Sequence, residues 1–184
     1  MDSVTVVLCI LIGIVIICIL WYIGVSNKLN RAVVKIDEAE SGIDVALTKR
    51  HDVLIKMMEV VKKYAKHEKE TLFKVIELRK GMTLQEKSEA SKKMDESMKQ
   101  INVVAENYPE LRSNENFKTL QQSIADVEEH LQAARRLYNS NVSIYNQMLV
   151  TFPASMVANN KKMTKKDFFE ADEESKKDVK IDLE

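Results

Sequence analysis

An unbroken apolar run near the amino terminus constrains this chain more than any other feature. No Asp, Glu, Lys, Arg or His occurs from Val4 to Val25, and only Asp2 lies before it. About 22 residues at about 1.5 Å each form some 33 Å of helix, enough to cross a hydrocarbon core of about 30 Å. The run therefore predicts a transmembrane helix that contacts the lipid bilayer through Val4 to Val25.

The flanks of this run predict its fate and its orientation. No basic residue precedes the run and no small-residue cleavage site follows it, so we expect a retained anchor and not a signal peptide. Lys28, Arg31 and Lys35 follow the run, and basic residues near a span stay in the cytoplasm. We therefore expect a single-pass protein of the bacterial membrane, with its amino terminus outside and its body in the cytoplasm.

The remaining composition favours helices. The 184 residues include only 4 glycines and 2 prolines, too few for the turns of an all-β fold or the glycine-rich loops of many α/β enzymes. Basic and acidic residues number 28 each, and both are interspersed along the body. This balance gives no support to nucleic-acid binding.

Apolar residues at helical spacing predict one long first helix that reaches from the membrane to about Lys80. The gaps between them are mostly three, four or seven, which is typical of a helix that buries one face. Gly42 lowers helix propensity by about 1 kcal/mol without stopping the helix. Such a helix either bends near His51 or leaves its membrane-proximal part as a stalk. The stripe consists of Leu29, Val33, Ile36, Ile43, Leu47, Leu54, Met57, Val61, Tyr64, Leu72 and Ile76.

Two further helices follow. Gly81 is expected to end the first helix, and Thr83 with Glu86 forms a capping box for a second helix from Leu84 to about Asn107. Asn114 can cap a third helix that ends at Pro153. Short turns between the three helices predict antiparallel packing. The stripe of the third helix consists of Phe117, Leu120, Ile124, Val127, Leu131, Ala134, Tyr138, Tyr145, Leu149 and Phe152.

Together these patterns predict an all-α protein, in which an N-terminal transmembrane helix precedes an antiparallel three- or four-helix bundle of long helices. The predicted division is an anchor at 1–26, a helical bundle at 27–156 and a charged, disordered tail at 157–184. Within the tail, Phe168 and Phe169 are either a docking patch or two solvated aromatic rings.

No complete catalytic or metal-binding motif is present. His67-Glu68 would begin the zincin motif H-E-x-x-H, but Thr71 stands where the second histidine is needed. None of the three histidines follows a glutamate at the spacing of di-iron bundles. We therefore predict no catalytic residue, no cofactor and no metal, although a carboxylate pair assembled between helices stays open.

Ordered short motifs make the chain similar to the LemA family of bacterial membrane-anchored proteins. The resemblance extends from Asn27 to Ala171. The motifs that carry it are Asn27-Lys28-Leu29-Asn30, Glu40-Ser41-Gly42-Ile43-Asp44-Val45-Ala46-Leu47, Lys49-Arg50-His51-Asp52, Tyr64-Ala65-Lys66-His67-Glu68, Tyr108-Pro109-Glu110-Leu111, Asn114-Glu115-Asn116-Phe117, Ala134-Arg135-Arg136-Leu137-Tyr138-Asn139, Tyr145-Asn146, Phe152-Pro153 and Phe168-Phe169-Glu170-Ala171.

The resemblance implies a single anchor and a helical-bundle body whose role within the family is poorly defined, and magnetosome-membrane relatives suggest a part in membrane organisation. Two departures stand out. Lys56-Met57 replaces a common proline and asparagine, which favours a straighter first helix. Asn159-Asn160-Lys161-Lys162 replaces a Phe-rich apolar stretch.

A Tyr-Asn pair repeats after seven residues on the third helix and suggests a partner groove. The two alternatives are core packing of the tyrosines and a polar groove for a partner helix. The groove would be formed by Asp44, His67, Glu68, Tyr138, Asn139, Tyr145 and Asn146.

The leading interpretation is a non-enzymatic membrane-anchored scaffold that presents its bundle to an unknown membrane or cytoplasmic protein, with homo-oligomer formation left open. The alternatives are a membrane-organising or lipid-binding module and a carboxylate- or metal-dependent enzyme.

Overall fold

The computed structural model describes residues 2–65, 78–79 and 81–169. These residues form α-helices and connections, and no strand occurs among them. The chain divides into two compact units, unit 1 with Met1–Ala39 and Tyr138–Phe168, and unit 2 with Glu40–Leu137 and Phe169–Glu184. The division falls inside two helices.

Helix α1 extends without interruption from Ser3 to Tyr64. Proline is absent from this stretch, so every residue can donate its backbone amide to the helix. Its first part is long and apolar enough to cross a membrane, and none of the apolar segment is buried within the protein. Beyond it the predicted stripe is confirmed. The buried residues of the stripe are Leu29, Ile36, Ile43, Leu47, Leu54, Met57 and Val61.

The prediction that one uninterrupted helix extends to Lys80 is wrong. Helix α1 ends at Tyr64, and Ala65 lies outside it. Leu72, Ile76 and Lys80 lie outside the described residues. Gly81 adopts a positive φ of 79° in the turn before the next helix, where a residue without Cβ is favoured.

Helix α2 covers Leu84–Asn107, as the pattern predicts, and its capping box is confirmed. The Thr83 hydroxyl accepts from the Glu86 amide, and the Glu86 carboxylate accepts from the Thr83 amide at 2.7 Å. The backbone amide of Thr83, followed by its hydroxyl, holds the pKa of Glu86 below its usual range. The capping box thus fixes the start of α2.

The direction of α2 differs from the prediction, because α2 is parallel to α1 within unit 2. Lys87 near the start of α2 contacts Glu40 and Asp44, whereas Asp95 further along α2 pairs with Arg50 further along α1. Helix α1 continues for about 30 Å between Asp44 and its end at Tyr64. The connection of about 19 residues between α1 and α2 is long enough to return that distance, so the expected short turn is wrong.

Helices α3, Pro109–Ser113, and α4, Glu115–Val150, follow α2. Asn114 caps α4 as predicted, since its Oδ1 accepts from the Phe117 amide at 3.1 Å. Its Nδ2 also donates to the Tyr64 hydroxyl at 2.9 Å, which ties the start of α4 to the end of α1. In unit 2, α4 is antiparallel to α1, because Ala134 lies opposite Gly42 and Glu128 opposite Arg50.

One core fills unit 2 between α1, α2, α3 and α4. The prediction of an all-α protein, with an apolar N-terminal helix followed by packed helices, is confirmed. The buried members of this core are Leu54, Met57, Met58, Val61, Ala65, Ala90, Met94, Ile101, Val104, Ala105, Leu111 and Phe117.

A short fifth helix in unit 1 was not predicted. Helix α5 covers Ala154–Asn160 and buries Val157 and Ala158. Phe152 was expected on the buried stripe of the third helix, which is wrong, because α4 ends at Val150 and Phe152 is exposed. The predicted tail thus begins inside α5, and its residues 170–184 lie outside the described residues.

Candidate functional site

The second half of α4 carries the predicted Tyr-Asn pairs on a helical segment without charges. Residues 138–149 contain no Asp, Glu, Lys or Arg. Tyr138 and Tyr145 are both buried, and their hydroxyls bond to the segment of residues 163–168. Tyr138 donates to the carbonyl of Asp167 at 3.1 Å, and Tyr145 donates to the carbonyl of Thr164 at 3.0 Å. These bonds satisfy both hydroxyls, as buried tyrosines require.

Asn146 holds the same segment by a reciprocal pair of hydrogen bonds. Its Nδ2 donates to the Lys166 carbonyl at 2.8 Å, and its Oδ1 accepts from the Lys166 amide at 2.9 Å. A single amide side chain thus pairs with both backbone groups of one residue, as a neighbouring strand would. Burial raises the pKa of the Tyr145 hydroxyl, so this group stays protonated and keeps donating at neutral pH.

The segment held in this way, residues 163–168, is recognised through its backbone. The side chains of residues 164–167 are exposed. The backbone groups of Thr164, Lys166 and Asp167 form hydrogen bonds with side chains of α4. Backbone recognition of an extended peptide tolerates different side chains in the bound segment. The Tyr-Asn face of α4 is therefore covered by the protein's own chain.

The structure brings together only part of the predicted groove. Tyr138, Tyr145 and Asn146 meet on the 163–168 segment in unit 1, and Asn139 beside them is half-buried. Asp44 belongs to unit 2 and pairs there with Lys87. His67 and Glu68 lie outside the described residues, so a groove that includes them stays a prediction.

Two buried cations in unit 2 are sites that the sequence did not reveal. Lys87 is only 5% exposed, and its ammonium lies 2.7 Å from both Glu40 and Asp44. Burial alone would lower the pKa of Lys87, but hydrogen bonds to Asp44 and Glu40 outweigh it and leave this pKa raised. Lys87 therefore stays charged and joins α2 to α1. Asp44 and Lys87 also line a cavity of about 230 Å³, whose other lining residues are Leu47, Thr48, Leu78, Arg79, Gly81 and Met82.

Arg50 is the second buried cation, at 6% exposed, and it links three helices. It pairs with Asp95 on α2 and lies 3.0 Å from the carboxylate of Glu128 on α4. It also donates to the Ser91 hydroxyl at 3.1 Å. Because a buried charge is tolerated only when it is paired, this arrangement fixes the register of α1, α2 and α4.

Arg135 extends this polar cluster toward the end of the described chain. It donates to the same Ser91 hydroxyl, and its guanidinium lies 4.8 Å from the centroid of the Phe169 ring. Phe169 is only 3% exposed. A cation over an aromatic face is a stabilising contact, so Phe169 packs within the protein and is not solvated, while Phe168 is exposed. Whether Phe168 serves as a docking patch stays a prediction.

The clustered carboxylates of unit 2 therefore face cations, with Glu40 and Asp44 on Lys87, and Asp95 and Glu128 on Arg50. Across residues 2–65, 78–79 and 81–169, no group of three His, Cys, Asp or Glu side chains is placed to hold a metal ion. A signal for the two cations exists in the sequence, since Arg50 and Lys87 occupy core-facing positions three residues from Leu47 and Ala90.

Comparison with known proteins agrees with the motifs. The model of the LemA family matches residues 39–183. Protein LemA of Metamycoplasma hominis is 29% identical over 163 residues, which cover 86% of this chain and 74% of that relative.

The Asn146 amide is expected to control access to the 163–168 segment. Asn146→Ala removes two hydrogen bonds to Lys166, each contributing about 0.5–1.5 kcal/mol, so local opening should become about five- to 150-fold more frequent. Limited trypsin digestion read by mass spectrometry measures this as faster initial cleavage after Lys165 and Lys166. Gln147→Ala is the matched control, because the Gln147 side chain bonds only to Ser143 on its own helix. Equal cleavage rates in both variants would contradict this role of Asn146.

Proposed function

Because the chain belongs to the LemA family, we propose that it is a single-pass, membrane-anchored helical scaffold without catalytic activity. In this proposal the apolar run of α1 spans the bilayer, and the helical body binds protein partners at the membrane surface. Neither family membership nor the name of the relative specifies a partner, so the proposal depends on the fold.

The observation that carries the proposal is the continuity of α1. The same helix, Ser3–Tyr64, contains the apolar run and the buried stripe from Leu29 to Val61. No linker of glycine, serine or proline separates them. A body attached in this way has a defined distance from the membrane, which suits a scaffold that positions its partners.

The orientation in the proposal depends on the charge distribution around the run. Lys28, Arg31 and Lys35 follow the run within about ten residues, and no basic residue precedes it. The positive-inside rule then favours a cytoplasmic body and an external amino terminus.

The carboxylates support a non-catalytic role, since the clustered ones stabilise helix packing. Asp95 and Glu128 neutralise Arg50, and Glu40 and Asp44 neutralise Lys87. A general acid or base needs a carboxyl group that is free to exchange protons with a substrate. A protein partner that uses the Tyr-Asn face of α4 must first displace residues 163–168.

Orientation can be measured by cysteine labelling of the full chain in intact cells. In a background with Cys9→Ala and Cys18→Ala, we expect a membrane-impermeant maleimide to label the Asp2→Cys variant and not the Val103→Cys variant, since Val103 is exposed on the body. After cell lysis both variants should be labelled, which controls for accessibility. Labelling of Val103→Cys in intact cells would overturn the proposed orientation.

The scaffold role can be tested by photo-crosslinking in intact cells. A photoreactive residue at Val103 or Leu137, two exposed apolar positions of the body, should give discrete adducts with other proteins in the membrane fraction. Glu106 and Arg136 are the matched exposed positions on the same helices and should give weaker adducts or none. The proposal fails if all four positions give no adduct, and stoichiometric metal in the chelator-washed full-length protein would favour an enzyme instead.

A further inference from the structure

The charges of the chain are strongly divided, although their total is zero. Residues 3–36 and 138–166, which both belong to unit 1, contain seven basic residues and no Asp or Glu. The basic residues are Lys28, Arg31, Lys35, Lys161, Lys162, Lys165 and Lys166. Unit 1 as a whole also contains Asp2, Asp37, Glu38 and Asp167, so its seven basic and four acidic residues leave a net charge of +3. This positive charge lies in the unit that includes the apolar run.

The end of α5 and Lys161 after it lie beside the downstream end of the apolar run. Asn141 on α4 donates to the carbonyl of Lys35 at 3.0 Å. Further along the chain, Lys161 donates to the side chains of Ser26 at 2.9 Å and Asn30 at 2.8 Å, and Asn160 donates to the Tyr22 hydroxyl at 3.0 Å. As the chain proceeds past α4, its contacts thus move toward the amino end of α1 and reach the last residues of the run.

This part of unit 1 exposes three large apolar side chains. Phe152 is 76% exposed, Val150 is 63% exposed and Met156 is 60% exposed. Val150 is the last residue of α4, Phe152 lies in the turn between α4 and α5, and Met156 lies in the first turn of α5. Val157 and Ala158 of α5 are buried. The apolar body of α5 is therefore already packed, and these three side chains are left for another environment.

We propose that the α4–α5 turn is a second membrane contact, in which Val150, Phe152 and Met156 insert into the interface of the anionic cytoplasmic leaflet. The exposed lysines at 162, 165 and 166 face the headgroups of the same leaflet. This inference depends on the proposed anchoring of the apolar run in the bilayer.

Three observations favour a lipid surface as the partner. First, α4 proceeds from Asn141 beside Lys35 toward the amino end of α1, and the end of α5 after the turn bonds to Tyr22 and Ser26, where the apolar run meets its polar flank. Second, apolar side chains next to lysines are the pattern of interfacial membrane contacts, because the lysine ammonium reaches the headgroups while its stem stays apolar. Third, unit 1 has a net charge of +3, which favours contact with anionic lipids.

Tryptophan fluorescence of the full-length protein in vesicles tests this contact. The single tryptophan is first removed by Trp21→Phe, and one probe is then introduced by Phe152→Trp, Ile144→Trp or Ile17→Trp. Ile144 is an exposed residue of α4, about 9 Å before Val150 along the helix, and serves as the matched control. Ile17 lies inside the apolar run and reports on the anchor itself. The vesicles contain phospholipids brominated on the acyl chains near the headgroup, with or without phosphatidylglycerol.

We expect the probe at position 152 to have a blue-shifted emission and several-fold stronger quenching by brominated lipid than the probe at 144. Quenching at 152 should increase when phosphatidylglycerol is included. If position 152 is quenched no more than 144 while position 17 is quenched strongly, the second contact is refuted and the anchor stands. If position 17 is not quenched, the anchoring fails and this contact fails with it. A blue shift at 152 that depends on protein concentration, without quenching by lipid, would assign the turn to a second copy of the chain and overturn the proposal.

Discussion

The structure depends on one long helix whose surface changes character along its length. Over its first part, α1 is apolar on all sides, and past Val25 the apolar residues narrow to one face. No proline interrupts the change, and the glycines at 13, 24 and 42 do not end the helix. Because the backbone hydrogen bonds of a helix are satisfied internally, the same element can continue from hydrocarbon into water. The core of each unit is then built against the stripe of this helix.

Polar side chains set the register of the helices that pack on α1. A Leu-rich stripe alone permits several offsets between neighbouring helices, whereas a buried cation must meet its carboxylates. Arg50 reaches partners on α2 and α4, and Lys87 on α2 reaches Glu40 and Asp44 on α1. In unit 1 the same role belongs to neutral groups, since Asn146 and the two tyrosines hold an extended segment through its backbone.

Local signals were sufficient to predict much of this fold, and long-range pairing was not. The stripes, the Thr83 capping box and the Asn114 cap depend on residues within one or two helical turns. The two caps are confirmed, and so are the stripes from Leu29 to Val61 and from Phe117 to Leu149 in their buried members. The parallel arrangement of α1 and α2 was missed because the helical spacing continues through Leu72 and Ile76, which hid the end of α1 at Tyr64. The buried cations were missed because Arg50 and Lys87 find their partners 40 to 80 residues away. The seven-residue repeat was sufficient to place Tyr138, Tyr145 and Asn146 on one face of α4. No local pattern indicated that residues 163–168 cover this face.

Hydrogen exchange along α1 in lipid nanodiscs tests the central claim most directly. If α1 is one helix that joins the span to the body, amides from Trp21 to Asp44 should exchange slowly and without a gap, because each is hydrogen-bonded within the helix. The peptide segment around Ser26 to Asn30 is decisive, since the apolar run is followed there by the stripe, whose first buried residue is Leu29. Rapid exchange confined to that segment would show a flexible joint between the anchor and the body and would contradict this account.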